Sequence, residues 1–342
     1  MSEIATRLFT EHRDAFEPRT RVISANSSAV RMGINKLQMF RLCDELGVPI
    51  AKREIVKDHE SFLEAVRRIG LPCVLKPVDA SAFLFGRKAL ILRSEAEVRA
   101  AVPHWPQEHR ELCVQHFVDG LRHDVSFVAH EGRLLGAVDG EARRSDTADG
   151  TGYSVELVSV VPDERLRRAV ERLVSRLDYT GAGAFQFMLN PSTREMTFLE
   201  LNPRLSASYS MAELAGLPVS VLMLEIGLGR IPVRSRDAWD YPIGRRIVWT
   251  KGDLSGLRNE WQRGALSLPS ALRWAAAIGR SALCLNHMTF DWTDPAPTLW
   301  LYLHRLLHPF GLGRLHEPEL EPLPEDPGPV RDHLQVVSRM AG

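Results

Sequence analysis

Lysine is scarce in this chain: of 43 basic residues only six are lysine, at positions 36, 52, 57, 76, 88 and 251. Arginine supplies nearly all the positive charge, so each lysine stands out as a compact, flexible point charge. Cysteine is scarce too. Cys43, Cys73, Cys113 and Cys284 lie far apart, which excludes a paired zinc motif and a disulfide scaffold and fits a reducing compartment. Net charge is absent, with 43 basic against 43 acidic residues, so no global field draws the chain to nucleic acid or to an anionic membrane, and any anionic ligand needs a local site. No apolar run reaches the ~18 residues of a membrane span, and the opening Met-Ser-Glu-Ile-Ala-Thr-Arg is too polar for a secretory signal. A cytoplasmic location is expected, and no internal repeat is found.

What is present is an ordinary globular composition, 44% hydrophobic and 25% charged over 342 residues. That length exceeds the size at which one core stops growing, so two or three lobes are expected. The spacing predicts a helix over 35–46 stopped by Gly47, a second over 60–69 stopped by Gly70, and a short strand Cys73-Val74-Leu75 running into Lys76-Pro77. Strands over 112–117 and 124–129 flank a turn at Asp119-Gly120, and His130-Glu131-Gly132 turns the chain into 134–138, which reads as an antiparallel meander. A polar stretch, 142–152, interrupts it before a strand at 155–160. Beyond about residue 236 tryptophans and prolines crowd in, and 317–329 reads as an extended, acidic, proline-rich strap. The expected divisions are an N-terminal arm over 1–30, a small lobe over 31–110, a large lobe over 111–235 and a C-terminal extension over 236–342.

The most informative stretch is Gly181-Ala-Gly-Ala-Phe-Gln186-Phe-Met-Leu, followed after a turn at Asn190-Pro191-Ser192 by Phe198-Leu199-Glu200-Leu201-Asn202-Pro203-Arg204. If two strands pair here, Gln186 and Glu200 face one side, and the alternation that turns Glu200 inward also turns Asn202 inward. A carboxylate between apolar neighbours needs a partner or a metal. One carboxylate with two amide oxygens suits Mg²⁺, which completes its shell with water and nucleotide phosphates. Arg204 adds a planar fork for a phosphate or carboxylate.

These residues, with Ser206, Ser208 and Ala215-Gly216-Leu217-Pro218, resemble the ATP-grasp superfamily, in its carbamoyl-phosphate-synthase-like branch. The likeness runs from residue 31 to about 300. It implies an α+β fold in which two α/β lobes with antiparallel sheets clasp ATP, here with a truncated N-terminal domain and an extra C-terminal lobe. It also implies ATP with Mg²⁺ or Mn²⁺ as cofactors, with Gln186, Glu200 and Asn202 as metal ligands. Lys36, in Asn35-Lys36, and Lys76, in Val74-Leu75-Lys76-Pro77, would reach the phosphates, and Lys76 and Arg204 would act in catalysis. Gln115-His116-Phe117-Val118 resembles the hinge that reads adenine, through the backbone of His116 and Val118, and His123 takes the place of a ribose contact.

Two features depart from the pattern. The loop over the phosphates is poor in glycine, Asp79-Ala-Ser81-Ala-Phe-Leu-Phe-Gly86-Arg87-Lys88, leaving Ser81 with Arg87 or Lys88 as phosphate donors. Only about thirty residues precede Lys36, so the expectation is that the chain begins inside the family's preceding domain or that a partner subunit supplies it, with a homo-oligomer as another arrangement. The resemblance implies an ADP-forming carboxylate-amine ligase acting on small molecules, without nucleic acid or membrane partners. Bicarbonate activation of the carbamoyl-phosphate-synthase or carboxylase kind is the enzymatic alternative. A nucleotide-binding module without catalysis is the other.

Overall fold

The computed structural model describes residues 3–17, 20–79, 84, 88–101, 111–206, 208–231 and 237–307. Ser81, Arg87 and the 317–329 strap lie outside them. Among the described residues the chain runs α1 (Glu3–Glu11), α2 (Arg13–Phe16), α3 (Ser27–Ile34), α4 (Lys36–Leu46), β1 (Arg53–Val56), α5 (His59–Ile69), β2 (Cys73–Pro77), β3 (Leu90–Leu92), α6 (Glu95–Ala101) and β4 (Leu112–His116). It continues with β5 (Leu121–His130), β6 (Arg133–Ser145), β7 (Ser154–Ser159), α7 (Glu164–Arg176), β8 (Gly181–Leu189), β9 (Met196–Asn202), α8 (Tyr209–Leu214), α9 (Val219–Gly227), β10 (Arg246–Val248), α10 (Thr250–Gln262), α11 (Leu268–Ala282) and α12 (Ala296–Leu307).

The strands form two antiparallel sheets, a four-stranded one ordered β1-β4-β2-β3 and a six-stranded one ordered β10-β7-β6-β5-β8-β9. The smaller sheet buries Cys73, Leu75, Leu112 and Val114 against Phe62, Ala65 and Val66 of α5 and Val98 of α6. Asp58 begins α5 with a reciprocal capping box to Ser61, and Gly70 ends it. One face of the larger sheet, carrying Phe127, Phe185, Phe187 and Phe198, joins α4 and α7 in the main core. In α7 the buried Leu166, Ala169, Val170, Leu173 and Val174 recur every three or four residues, which makes the apolar stripe that seats it.

The expected hairpin across Asp119-Gly120 does not form. β4 and β5 belong to different sheets, so 117–120 carries the chain from one to the other; two neighbouring apolar runs of similar texture can serve two cores. β4 therefore lies with the smaller sheet although it follows residue 110, and β10 joins the larger sheet although it follows residue 236. The meander itself is present as β5-β6-β7. The polar stretch is shorter than expected, because β6 extends to Ser145 through two register shifts and pairs Arg144 with Glu156.

Candidate functional site

The hairpin β8–β9 places Gln186 directly across from Glu200, and Ala184 across from Asn202. Cross-strand partners share a face, so Gln186, Glu200 and Asn202 stand together. Simple alternation would put Phe198 beside Glu200 on that face. Instead the register shifts between Gln186 and Phe187, so that Phe198 pairs with Phe187 and Leu199 is left over. This bulge allows Phe198 to bury completely among the rings of Phe185 and Phe187 while Glu200 turns to the other face. At the turn the Asn190 side chain accepts from the N–H groups of Ser192 and Thr193, which fixes the register.

Within the cluster Asn202 Nδ2 donates to Glu200 Oε1 at 3.0 Å, and Arg204 Nη2 donates to Asn202 Oδ1 at 3.1 Å. Burial alone would raise the Glu200 pKa. Lys36, Lys88, the Asn202 hydrogen bond and Lys76 outweigh it, so the carboxyl is held below its ordinary range. Three of the six lysines thus converge on one carboxylate. Lys36 opens α4, where the Asn35 side chain caps Leu37 and Gln38, and its Nζ donates to the Pro77 carbonyl at 3.1 Å. Lys76 stands across from Cys113 in the smaller sheet, with Nζ 5.3 Å from the Phe40 ring centroid. Burial lowers its pKa, with Cys113 and Glu200 opposing. Lys88 lies 4.9 Å from the centroid of Tyr153.

Gln115 shares the Lys76 face of the smaller sheet, being across from Val74. It is buried, and its Nε2 has no hydrogen-bond partner among the described residues. The His116 N–H donates to the Lys52 carbonyl at 2.8 Å and its side chain is exposed. No hydrogen bond among the described residues uses the Val118 N–H. His123 is not brought to the cluster. It stands across from Phe187 and Glu141, on the opposite face of the larger sheet, where Nδ1 lies 3.0 Å from both oxygens of the buried Asp139 and Nε2 lies 3.8 Å from Glu141. Burial opposes the imidazolium, but the Asp139 hydrogen bond and charge, with Glu141 and Asp124, raise its pKa.

Sequence reasoning missed Asp124, which is buried directly across from Gln186 and accepts a 2.7 Å bond from Ser154 Oγ. It also missed Arg122, whose guanidinium donates to the Gly152 carbonyl and to Ser154 Oγ, both at 2.7 Å. The alternation of β5 through Arg122, Asp124 and Ser126 was the available signal. Among the described residues no group of three His, Cys, Asp or Glu is placed to hold a metal. A site of one carboxylate and two amides would not be such a group, and it fits a hard divalent ion that keeps other oxygens.

Residues 156–232 match the family model described as carbamoyl-phosphate synthase L chain, ATP binding domain. A formate-dependent phosphoribosylglycinamide formyltransferase of Burkholderia mallei is 28% identical over 259 residues, 71% of this chain and 61% of the relative. The large chain of carbamoyl phosphate synthase from Clostridium botulinum is 26% identical over 61% of this chain and 20% of its own length. Among solved structures, a biotin carboxylase from Campylobacter jejuni superposes with a TM-score of 0.57 at 17% identity, covering 70% of this chain and 55% of that one. An N5-carboxyaminoimidazole ribonucleotide synthetase from Thermus thermophilus gives 0.51 at 22%, covering 66% and 60%. The chain therefore spans about three fifths of the formyltransferase relatives it matches, and its two-sheet architecture is the one these structures share.

Proposed function

We propose that the chain, which is similar to the carbamoyl-phosphate-synthase-like branch of the ATP-grasp superfamily, is an ADP-forming ligase of that kind that activates a carboxylate and joins it to an amine. The observation that carries this is the convergence of Lys36, Lys76 and Lys88 on Glu200, itself paired with Gln186 and bonded to Asn202. Three cations around one half-buried carboxylate leave an excess of positive charge. A triphosphate is the anion that this excess suits, and Glu200 with the two amide oxygens suits its magnesium.

Bound magnesium would supply charge neutralisation on the phosphates. Gln186, Glu200 and Asn202 would hold it, with the Asn202 amide turning its oxygen from Arg204 toward the ion. Lys36, Lys76 and Lys88 offset the charge of the transferring phosphoryl group, and the low dielectric of their surroundings strengthens that effect. Arg204, held by Asn202 at 3.1 Å, orients the acceptor carboxylate. The acceptor oxygen takes the γ-phosphoryl group and ADP leaves. The amine then attacks the acyl carbon, phosphate departs, and the amine loses a proton. At the other end the backbone of His116 and Val118 would read the adenine edge, and the unpartnered Gln115 Nε2 is a further donor beside them. With Asp139 already holding His123, the ribose falls to other groups.

The protein's four free cysteines are compatible with a cytoplasmic setting, and no helix among the described residues is long and apolar enough to cross a membrane. The test is ADP release with a panel of carboxylic acids and amines. Stimulation by an acid with an amine supports the ligase, whereas stimulation by bicarbonate alone moves the acceptor to the carboxylase kind. ATP binding without release under any acceptor leaves a binding module. Glu200→Ala is expected to abolish release, and unchanged release in that variant would overturn the metal assignment.

A further inference from the structure

A cavity of about 400 Å³ lies where β6, β7 and β10 meet α11, lined by Arg143, Arg144, Glu156, Arg246, Arg280 and Ser281, among others. The volume is that of a small-molecule site. Its strands, β6, β7 and β10, lie on the other side of β5 from the hairpin cluster on β8 and β9, and the nearest of them, β6 and β8, are two strand spacings or about 10 Å apart.

The lining is organised by charge. Glu156 lies 2.8 Å from Arg144 Nε and 2.9 Å from Arg246 Nη2. Arg144 also reaches Asp253 at 2.6 Å and Ser281 Oγ at 2.7 Å, and Arg143 lies 2.7 Å from Glu141. Four guanidiniums thus face three carboxylates, and no ion pair among the described residues engages Arg280. Two donors in the wall, Arg144 Nη1 and Arg246 Nε, are buried without a hydrogen-bond partner among the described residues. A buried donor of a charged group is costly to leave unmade. The remaining positive charge selects an acceptor that is an anion, and guanidinium forks suit the paired oxygens of a carboxylate or phosphate.

We propose that this cavity is a second binding site, for a small molecule carrying an oxyanion, distinct from the nucleotide cluster. The site uses Arg144 and Arg246 from the sheet and Arg280 from α11, three segments that come together only in the folded chain.

The test is calorimetric titration of the full chain with inorganic phosphate and, separately, with succinate, at constant ionic strength and with a saturating non-hydrolysable ATP analogue present to block the nucleotide cleft. At least one probe is expected to saturate below about 10 mM, and Arg246→Gln with Arg280→Gln should weaken it about tenfold or more while leaving the analogue's affinity unchanged. Preference for phosphate or for succinate names the group recognised. Because Arg280 has no ion-pair partner to lose, Arg280→Gln alone tests the site without disturbing the fold and should weaken binding in the same direction. Saturation by neither probe, or equal binding by wild type and both variants, overturns the proposal. The titration needs no turnover, so it fails or succeeds separately from the ligase assignment.

Discussion

The two faces of the six-stranded sheet handle buried charge in opposite ways. On one, Glu200 stays ionised despite burial because Lys36, Lys88 and Lys76 surround it. On the other, Asp139 is fully buried against His123, and burial pushes its carboxyl above the ordinary range, with the His123 hydrogen bond opposing. The Asp139–His123 contact is a closed pair, with Tyr241 Oη accepting from the Asp139 N–H at 3.2 Å. The Glu200 cluster is an open one, with more cations than its carboxylate can neutralise. A closed pair fixes structure, whereas an open cluster can take up a ligand of opposite sign.

Loss of the closed pair should have the largest effect on stability. Asp139→Asn breaks the closed pair. It should cost about 3–5 kcal/mol of stability, read from urea unfolding, with nucleotide affinity little changed in whatever remains folded.

Glu200→Gln probes the open cluster instead. ADP release should fall at least ~100-fold while the unfolding midpoint moves far less than in Asp139→Asn; the reverse order would erase the distinction between the faces. The two faces should also differ in pH response. His123 has a folded pKa above its unfolded value of about 6.5, so its contribution is complete below that value and is lost as pH rises through the folded pKa. Glu200 has a lowered folded pKa, so its contribution is present above the unfolded carboxylate value and is lost as pH falls through the folded one. Melting temperature followed from pH 3 to 9 should therefore decline at both ends, and Asp139→Asn should flatten only the alkaline limb. The smallest expected effect is that of Lys88→Gln, which removes one of three cations and should weaken ATP binding about tenfold.

The cluster on the hairpin was legible because its residues lie within twenty positions of each other and a turn signal separates the two strands. The lysines at 36 and 76 were legible through their rarity and their places, one at a helix start and one at a strand end. Lys88 was visible only as an alternative donor, since nothing local says that the chain after Asp79 returns it toward Glu200. The surroundings of His123 were not legible because its partner, Asp139, arrives from the next strand. The 112–129 segment was misjudged because a turn between two apolar strands looks the same whether they pair or part.

The sequence by itself determined the alternation of helices and strands, the caps at Asn35, Asp58 and Gly47, and the residue types gathered at 186, 200 and 202, since each depends on neighbours within a few turns of chain. Only the tertiary structure decided that Leu199 is left unpaired, that β4 and β5 separate into two sheets, that three lysines meet one glutamate, and that arginines from β6, β10 and α11 enclose a cavity. Those outcomes depend on register and on contacts between segments far apart in the chain, where a one-residue shift exchanges a buried ring for a charged group.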